Sequence, residues 1–143
     1  MANTIDDVEA IKKLKAQYFY FLDTKQWDNL RTLFTPDADF DSAREGSYTF
    51  DGLAGFITGA SASLQSGISV HHGHMPIIDF GADGEATGIW AMSDYVDLPD
   101  VNRTFVGYGH YHERYRRVAG VWKICNWKIT RLRVDNLNPR REL

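Results

Sequence analysis

Apolar side chains recur at helical intervals in the first third of the chain and at strand-like intervals in the remainder. Val8, Ile11, Leu14, Tyr18 and Leu22 form one stripe, with Lys12, Lys13 and Lys15 interleaved among them. Thr4 followed by Asp7 resembles a capping box and sets the helix start near Ile5. A second, short helix fits residues 27–34 and stops at Thr35-Pro36, because proline disfavours helical geometry in the residue before it. Residues 38–41 and 47–50 fit short strands. Asp51 reads as the cap of a third helix, Gly52–Leu64, with apolar Leu53, Phe56 and Ile57 and with glycines that weaken it.

From Gly67 onward the pattern is β. Four long segments, 68–80, 85–97, 103–118 and 121–134, are joined by turn chemistry at Asp83-Gly84, Leu98-Pro99-Asp100 and Ala119-Gly120. Such short joins predict an antiparallel meander. Helices first and a long meander afterwards predict an α+β domain, with helices over one face of a curved sheet and a cavity between them.

The length of 143 residues fits one domain, 1–143, with one sizeable core. Aromatic residues reach 13%, which suits either a pocket with large apolar walls or an aromatic core. A net charge of −3 gives no reason to expect nucleic acid or an anionic membrane as partner. Cys125 is the one cysteine, so no intramolecular disulfide or CxxC metal pair exists, and a reduced setting follows. Residues 1–11 lack the apolar core of a signal peptide, and no apolar run approaches membrane-spanning length. A cytoplasmic protein is the expectation.

All five histidines lie in two strand segments: His71, His72 and His74 in one, His110 and His112 in the other. Alternation places His71 opposite His72 and His74, unless a bulge near Gly73 resets the register. A neutral imidazole titrates near neutrality and serves as a base when a carboxylate fixes its tautomer. Asp23, ending an apolar helical face, can do this for His71; it can equally cap the helix while His71 packs in a polar sheet position. Tyr18, about one and a half turns before Asp23, either donates to a substrate oxygen or is a core tyrosine. Asp94 shares a face with Trp90 and Met92, as a rim residue or a pocket acid. The run 114–117 with Arg131, Arg133, Arg140 and Arg141 reads as mostly solvated, though one of them could hold a substrate carboxylate. His72, His74, His110 and His112 could together bind zinc or iron, a minor reading.

Several stretches resemble a known family. VEAIKKLKAQYFYFLDTKQWDNLRTLF, SVHHGHMPIIDF, EATGIWAMSDYV and HERYRRVAGVWKI are similar to SnoaL-like members of the nuclear transport factor 2 superfamily. Their order and spacing are most similar to bile-acid 7α-dehydratase, and more loosely to scytalone dehydratase and hexachlorocyclohexane dehydrochlorinase. The resemblance implies a cone of three N-terminal helices on a curved, mainly antiparallel sheet. It implies cofactor-free, metal-free proton abstraction from a hydrophobic cyclic or polycyclic molecule, by a dehydratase-type lyase or an isomerase, in a homodimer or homotrimer. The pattern YFxxLD falls on Tyr18 and Asp23, HxGHxP on His71 and His74, and the aspartate after GxW on Asp94. In that scheme His71 is the base, Asp23 its orienter, Tyr18 a donor and Asp94 an aid to water loss, with Phe19, Phe40, Trp90 and Met92 as wall. Two departures stand out: Phe40 or Ser42 occupies the place of a further pocket tyrosine, and no histidine lies between Met75 and Gly109, which argues against scytalone as substrate. The rival expectation is a non-catalytic ligand-binding or assembly module of the same fold.

Overall fold

The computed structural model describes residues 4–41 and 50–138. Helix α1 spans Ile5–Asp23. Its start is the expected capping box: the Asp7 amide donates to Thr4 Oγ1, and the Thr4 amide donates to the Asp7 carboxylate. The stripe Ile11, Leu14, Tyr18 and Leu22 is buried, and so, against the sequence pattern, is Lys15.

Helix α2 is shorter than expected, Trp27–Arg31, and Phe34 opens strand β1, Phe34–Asp41. Sheet pairing overrides the local helical pattern here. The Ile124 amide donates to the Leu33 carbonyl, and Phe34 pairs with Ile124. Pro36 is tolerated because β1 is an edge strand and its register is irregular between Phe34 and Asp39. Of the strand expected at 47–50, and of Ser42, Arg140 and Arg141, only Phe50 lies within the described residues, and it is not in a strand. Helix α3 spans Gly52–Leu64, preceded by Asp51, whose side chain makes no capping bond.

Strands β2 (Ile68–Phe80), β3 (Glu85–Leu98), β4 (Arg103–Val118) and β5 (Val121–Asn136) form the expected meander. Ala119 and Gly120 both have left-handed φ, 48° and 81°, the requirement of a tight primed hairpin turn. Among the described residues the strand order is β1-β5-β4-β3-β2, with β1 parallel to β5 and the other pairs antiparallel. A register shift between Gly73 and Pro76 leaves Ser69, His71, Pro76 and Ile78 on the helix side of β2 and His72, His74 and Met75 outside. Helix α1 packs over β2, and α3 over β1. An aromatic cluster of Tyr18, Phe34, Phe40, Phe56, Tyr111 and Trp127 fills the space between. Among the described residues no helix is long and apolar enough to cross a membrane.

Candidate active site

Asp23 is the last residue of α1, where a carboxylate opposes the helix dipole and no basic residue in the final turn offsets it. The donors that hold it come from β2. Ser69 Oγ donates to Oδ1 at 2.9 Å, and the His71 backbone N–H donates to Oδ2 at 2.7 Å. His71 Nδ1 lies 2.6 Å from Asp23 Oδ1. A carboxylate has only lone pairs to offer, so Nδ1 carries a proton, and in the neutral ring Nε2 is the basic nitrogen. His71 and Asp94 both line a cavity, and Nε2 lies 3.9 Å from Asp94 Oδ2, beyond hydrogen-bond length.

Asp94 is inward-facing on β3 and buried. Both its oxygens accept from Arg131, at 2.8 and 2.7 Å, in a bidentate pair. Arg131, grouped in the sequence with solvated arginines, therefore turns inward from β5. The signal was indirect: Gly107 faces Asp94 across β3 and β4, and a Cβ there would lie 2.0 Å from Arg131 Nη1 and 2.3 Å from Asp94 Oδ1. The missing side chain makes room for the ion pair.

The cavity measures about 550 Å³. Besides His71 and Asp94 its lining includes Tyr18, Tyr111, Trp127, Phe105, Arg131 and Arg103. Trp127 Nε1–H donates to the Tyr18 hydroxyl at 3.0 Å, which leaves the Tyr18 proton for another acceptor. The buried Tyr111 hydroxyl interacts with that of Tyr18, short of full hydrogen-bond geometry, and has no other partner among the described residues. Burial pushes both phenols above the ordinary tyrosine range, so both stay protonated donors. Tyr111 and Trp127 are not singled out in the sequence, and Arg131 only as one of several arginines that could hold a carboxylate, because register shifts at Tyr108/Gly109 and Arg114/Tyr115 decide which residues of β4 and β5 turn inward.

Beneath the tyrosines lies a buried ion pair that the sequence pattern did not suggest. Lys15 Nζ is 2.5 Å from Glu113 Oε1, and neither side chain is exposed. The ammonium sits 3.8 and 3.5 Å from the ring centroids of Tyr18 and Tyr111. Tyr115 donates to the other Glu113 oxygen and accepts from Trp90 Nε1, closing a satisfied network.

The expected wall residues are placed differently. Trp90 and Met92 face the helices but belong to the packed core beneath α1, Trp90 held by Tyr115. The cavity instead follows β3 further along, at Asp94, Val96 and Leu98. Phe40 stacks on Phe56 behind Trp127, and Phe19 packs over Gly73 on the outer side of the His71–Asp23 pair. Tyr18 lines the cavity, whereas Phe19, about 100° further round the helix, lines the shallow outer side. His72 and His74 are exposed on the outer face of the sheet, and His112 bonds Thr130. Among the described residues no group of three His, Cys, Asp or Glu side chains is arranged to hold a metal ion.

Known proteins share this arrangement of elements. A hexachlorocyclohexane dehydrochlorinase (LinA) Type2 structure superposes with a TM-score of 0.83 at 21% identity, covering 97% of this chain and 94% of that one. A structure provisionally named scytalone dehydratase, from Novosphingobium aromaticivorans, gives 0.82 at 20% identity, covering 95% and 91%. In sequence, the chain is 28% identical over 149 residues to the "Probable cyclase FGR4" of Gibberella zeae, covering 92% of this chain and 95% of the relative. The fold is thus that of the nuclear transport factor 2-like cone. The SnoaL-like domain family matches residues 3–128, nearly the whole of that cone, and the chain belongs to it.

Proposed function

We propose that this protein is a cofactor-free lyase or isomerase in which His71 removes a proton from a carbon next to a carbonyl of a hydrophobic cyclic molecule. The observation that carries this reading is the polarity of His71: Nδ1 is committed to Asp23, which leaves Nε2, beside the cavity-lining Asp94, as the free nitrogen. The relatives named for dehydrochlorination, dehydration and cyclisation accord with a lyase-type family.

The steps balance without a cofactor. Nε2 takes the proton as the C–H bond breaks, and Asp23 stabilises the imidazolium that forms. Negative charge develops on the carbonyl oxygen, where the Tyr18 and Tyr111 hydroxyls stand as donors. In a dehydration the β C–O bond then breaks, a C=C bond forms, and the leaving hydroxide takes the proton back from His71 to depart as water. In an isomerisation His71 returns the proton to another carbon. Asp94 accepts from Arg131 with both oxygens, so its part is to hold Arg131 beside the leaving group rather than to give a proton.

Incubation with a panel of cyclic β-hydroxy ketones, followed by absorbance of the conjugated enone, tests this. Turnover that disappears in His71→Gln, with an unchanged circular dichroism spectrum, supports the reading. Saturable binding without turnover of any member supports a binding module instead.

We also infer self-association through the outer face of the sheet, in a dimer or trimer. Ile68, Val70, Ile77 and Ile89 are exposed there, Ile77 and Ile89 directly opposite one another on β2 and β3.

A further inference from the structure

Two guanidinium groups stand over the Phe105 ring on the cavity wall. Arg131 stands 5.6 Å and Arg103 4.7 Å from the ring centroid. Arg131 is neutralised by Asp94. Arg103 is exposed, and no carboxylate among the described residues pairs with it. Asp97 and Asp100, close to it along the chain, are engaged with Thr104 and Ser66, and Asp135, on the neighbouring strand, with Arg133. Asn136, opposite Phe105 on β5, lines the same end of the cavity.

A cation held over an aromatic ring at the wall of an apolar chamber is a receptor for an anion. The guanidinium fork matches a carboxylate with two parallel hydrogen bonds. Its position fixes where that carboxylate lies. Gly107 faces Asp94, and Asp94 faces His71, so the reacting centre is level with Gly107. Arg103 is four residues further along β4, roughly 13 Å at strand rise.

We propose that the molecule bound here is an amphipathic acid: an apolar body in the cavity, its reactive carbon at His71 and a carboxylate on Arg103, further along β4 from the reacting centre. This rests on the reading of the cavity as the substrate chamber and adds the charge of what enters it. Arg103 is then a specificity-determining residue. A neutral ligand of the same shape leaves the guanidinium without a counter-charge and binds less well.

The test needs no turnover. Pyrenebutanoic acid and pyrenebutanamide share an apolar body and differ in the charged end, and both report binding by fluorescence. The acid is expected to bind about tenfold more tightly than the amide at low ionic strength. That preference shrinks as salt screens the exposed cation. It vanishes in Arg103→Met, which keeps the apolar stem, and in Arg103→Gln, which serves if the first variant misfolds. His71→Gln leaves the preference intact, so failure of the base assignment and failure of this inference are separable. Equal affinity for the two probes overturns the proposal. So does a preference that survives both Arg103 variants, or an acid that shows no saturable binding.

Discussion

One carboxylate holds both the ring and the backbone of one histidine: Asp23 Oδ1 lies 2.6 Å from His71 Nδ1 while Asp23 Oδ2 accepts from the His71 amide at 2.7 Å. The end of α1 thereby sets the orientation of β2 at the residue where the chemistry is assigned. Asp23→Asn removes the charge that stabilises the imidazolium and offers His71 the wrong hydrogen-bond partner. Turnover is expected to fall about 10²- to 10⁴-fold, with little change in KM. Steady-state kinetics on any substrate from the ketone panel checks it, and a loss below tenfold contradicts Asp23 as orienter.

The Asp94–Arg131 pair is expected to be costly to break from one side only. Arg131→Met leaves a buried carboxylate without a counter-charge, a loss of about 3–5 kcal/mol in chemical denaturation. Arg131→Met with Asp94→Asn recovers most of that stability, because no charge is then left buried. Gly107→Ala places a methyl group where the pair now lies. It is expected to cost about 1–3 kcal/mol and to depress turnover, since Arg131 must move. A Gly107→Ala enzyme with native stability and rate would show that the pair has room to spare.

Lys15 makes a pH prediction whose sign follows from burial. Desolvation pulls its ammonium down to about 8, outweighing the upward pull of Glu113. The unfolded chain, with an ordinary lysine value, therefore binds the proton more tightly than the folded one. Stability assigned to Lys15 rises as pH increases from about 8 toward 10.5, by up to about 3 kcal/mol. Above the ordinary tyrosine value the raised phenols of Tyr18 and Tyr111 act in the opposite sense. Denaturation at pH values between neutrality and ten, in wild type and in Lys15→Met with Glu113→Gln, isolates the effect. The wild type should gain on the double variant as pH rises; a flat or falling difference contradicts the assignment.

Ile77→Asp with Ile89→Asp puts like charges opposite one another on the outer face of the sheet. If that face joins copies of the chain, sedimentation should shift from an oligomer to a folded monomer. An unchanged sedimentation coefficient would place the interface elsewhere.

The skeleton of this fold was legible because its signals are local. The Thr4–Asp7 box, the α1 stripe and the Ala119-Gly120 turn all specify themselves within a few residues. The end of α2 was not, because β5 draws Leu33 and Phe34 into the sheet. Asp23, His71, Tyr18 and Asp94 could be singled out from motif resemblance; Tyr18, His71 and Asp94 line one cavity, and Asp23 reaches it only through its bond to His71. The walls could not be read in the same way. Trp90 and Met92 lie on the correct face of β3, but the helices fill that end of the cone and leave the other end open. Arg131 and Lys15 looked like solvated charges because their partners, Asp94 and Glu113, are far away in sequence.

The central claim is that His71 Nε2 removes a proton from carbon. The most direct measurement is exchange of the α-protons of β-tetralone for deuterium in D2O, followed by proton NMR with wild type, His71→Gln and Asp23→Asn. The account predicts catalysed loss of the α-proton signal with wild type, exchange at the buffer rate with His71→Gln, and an intermediate rate with Asp23→Asn. Equal exchange by wild type and His71→Gln would contradict it.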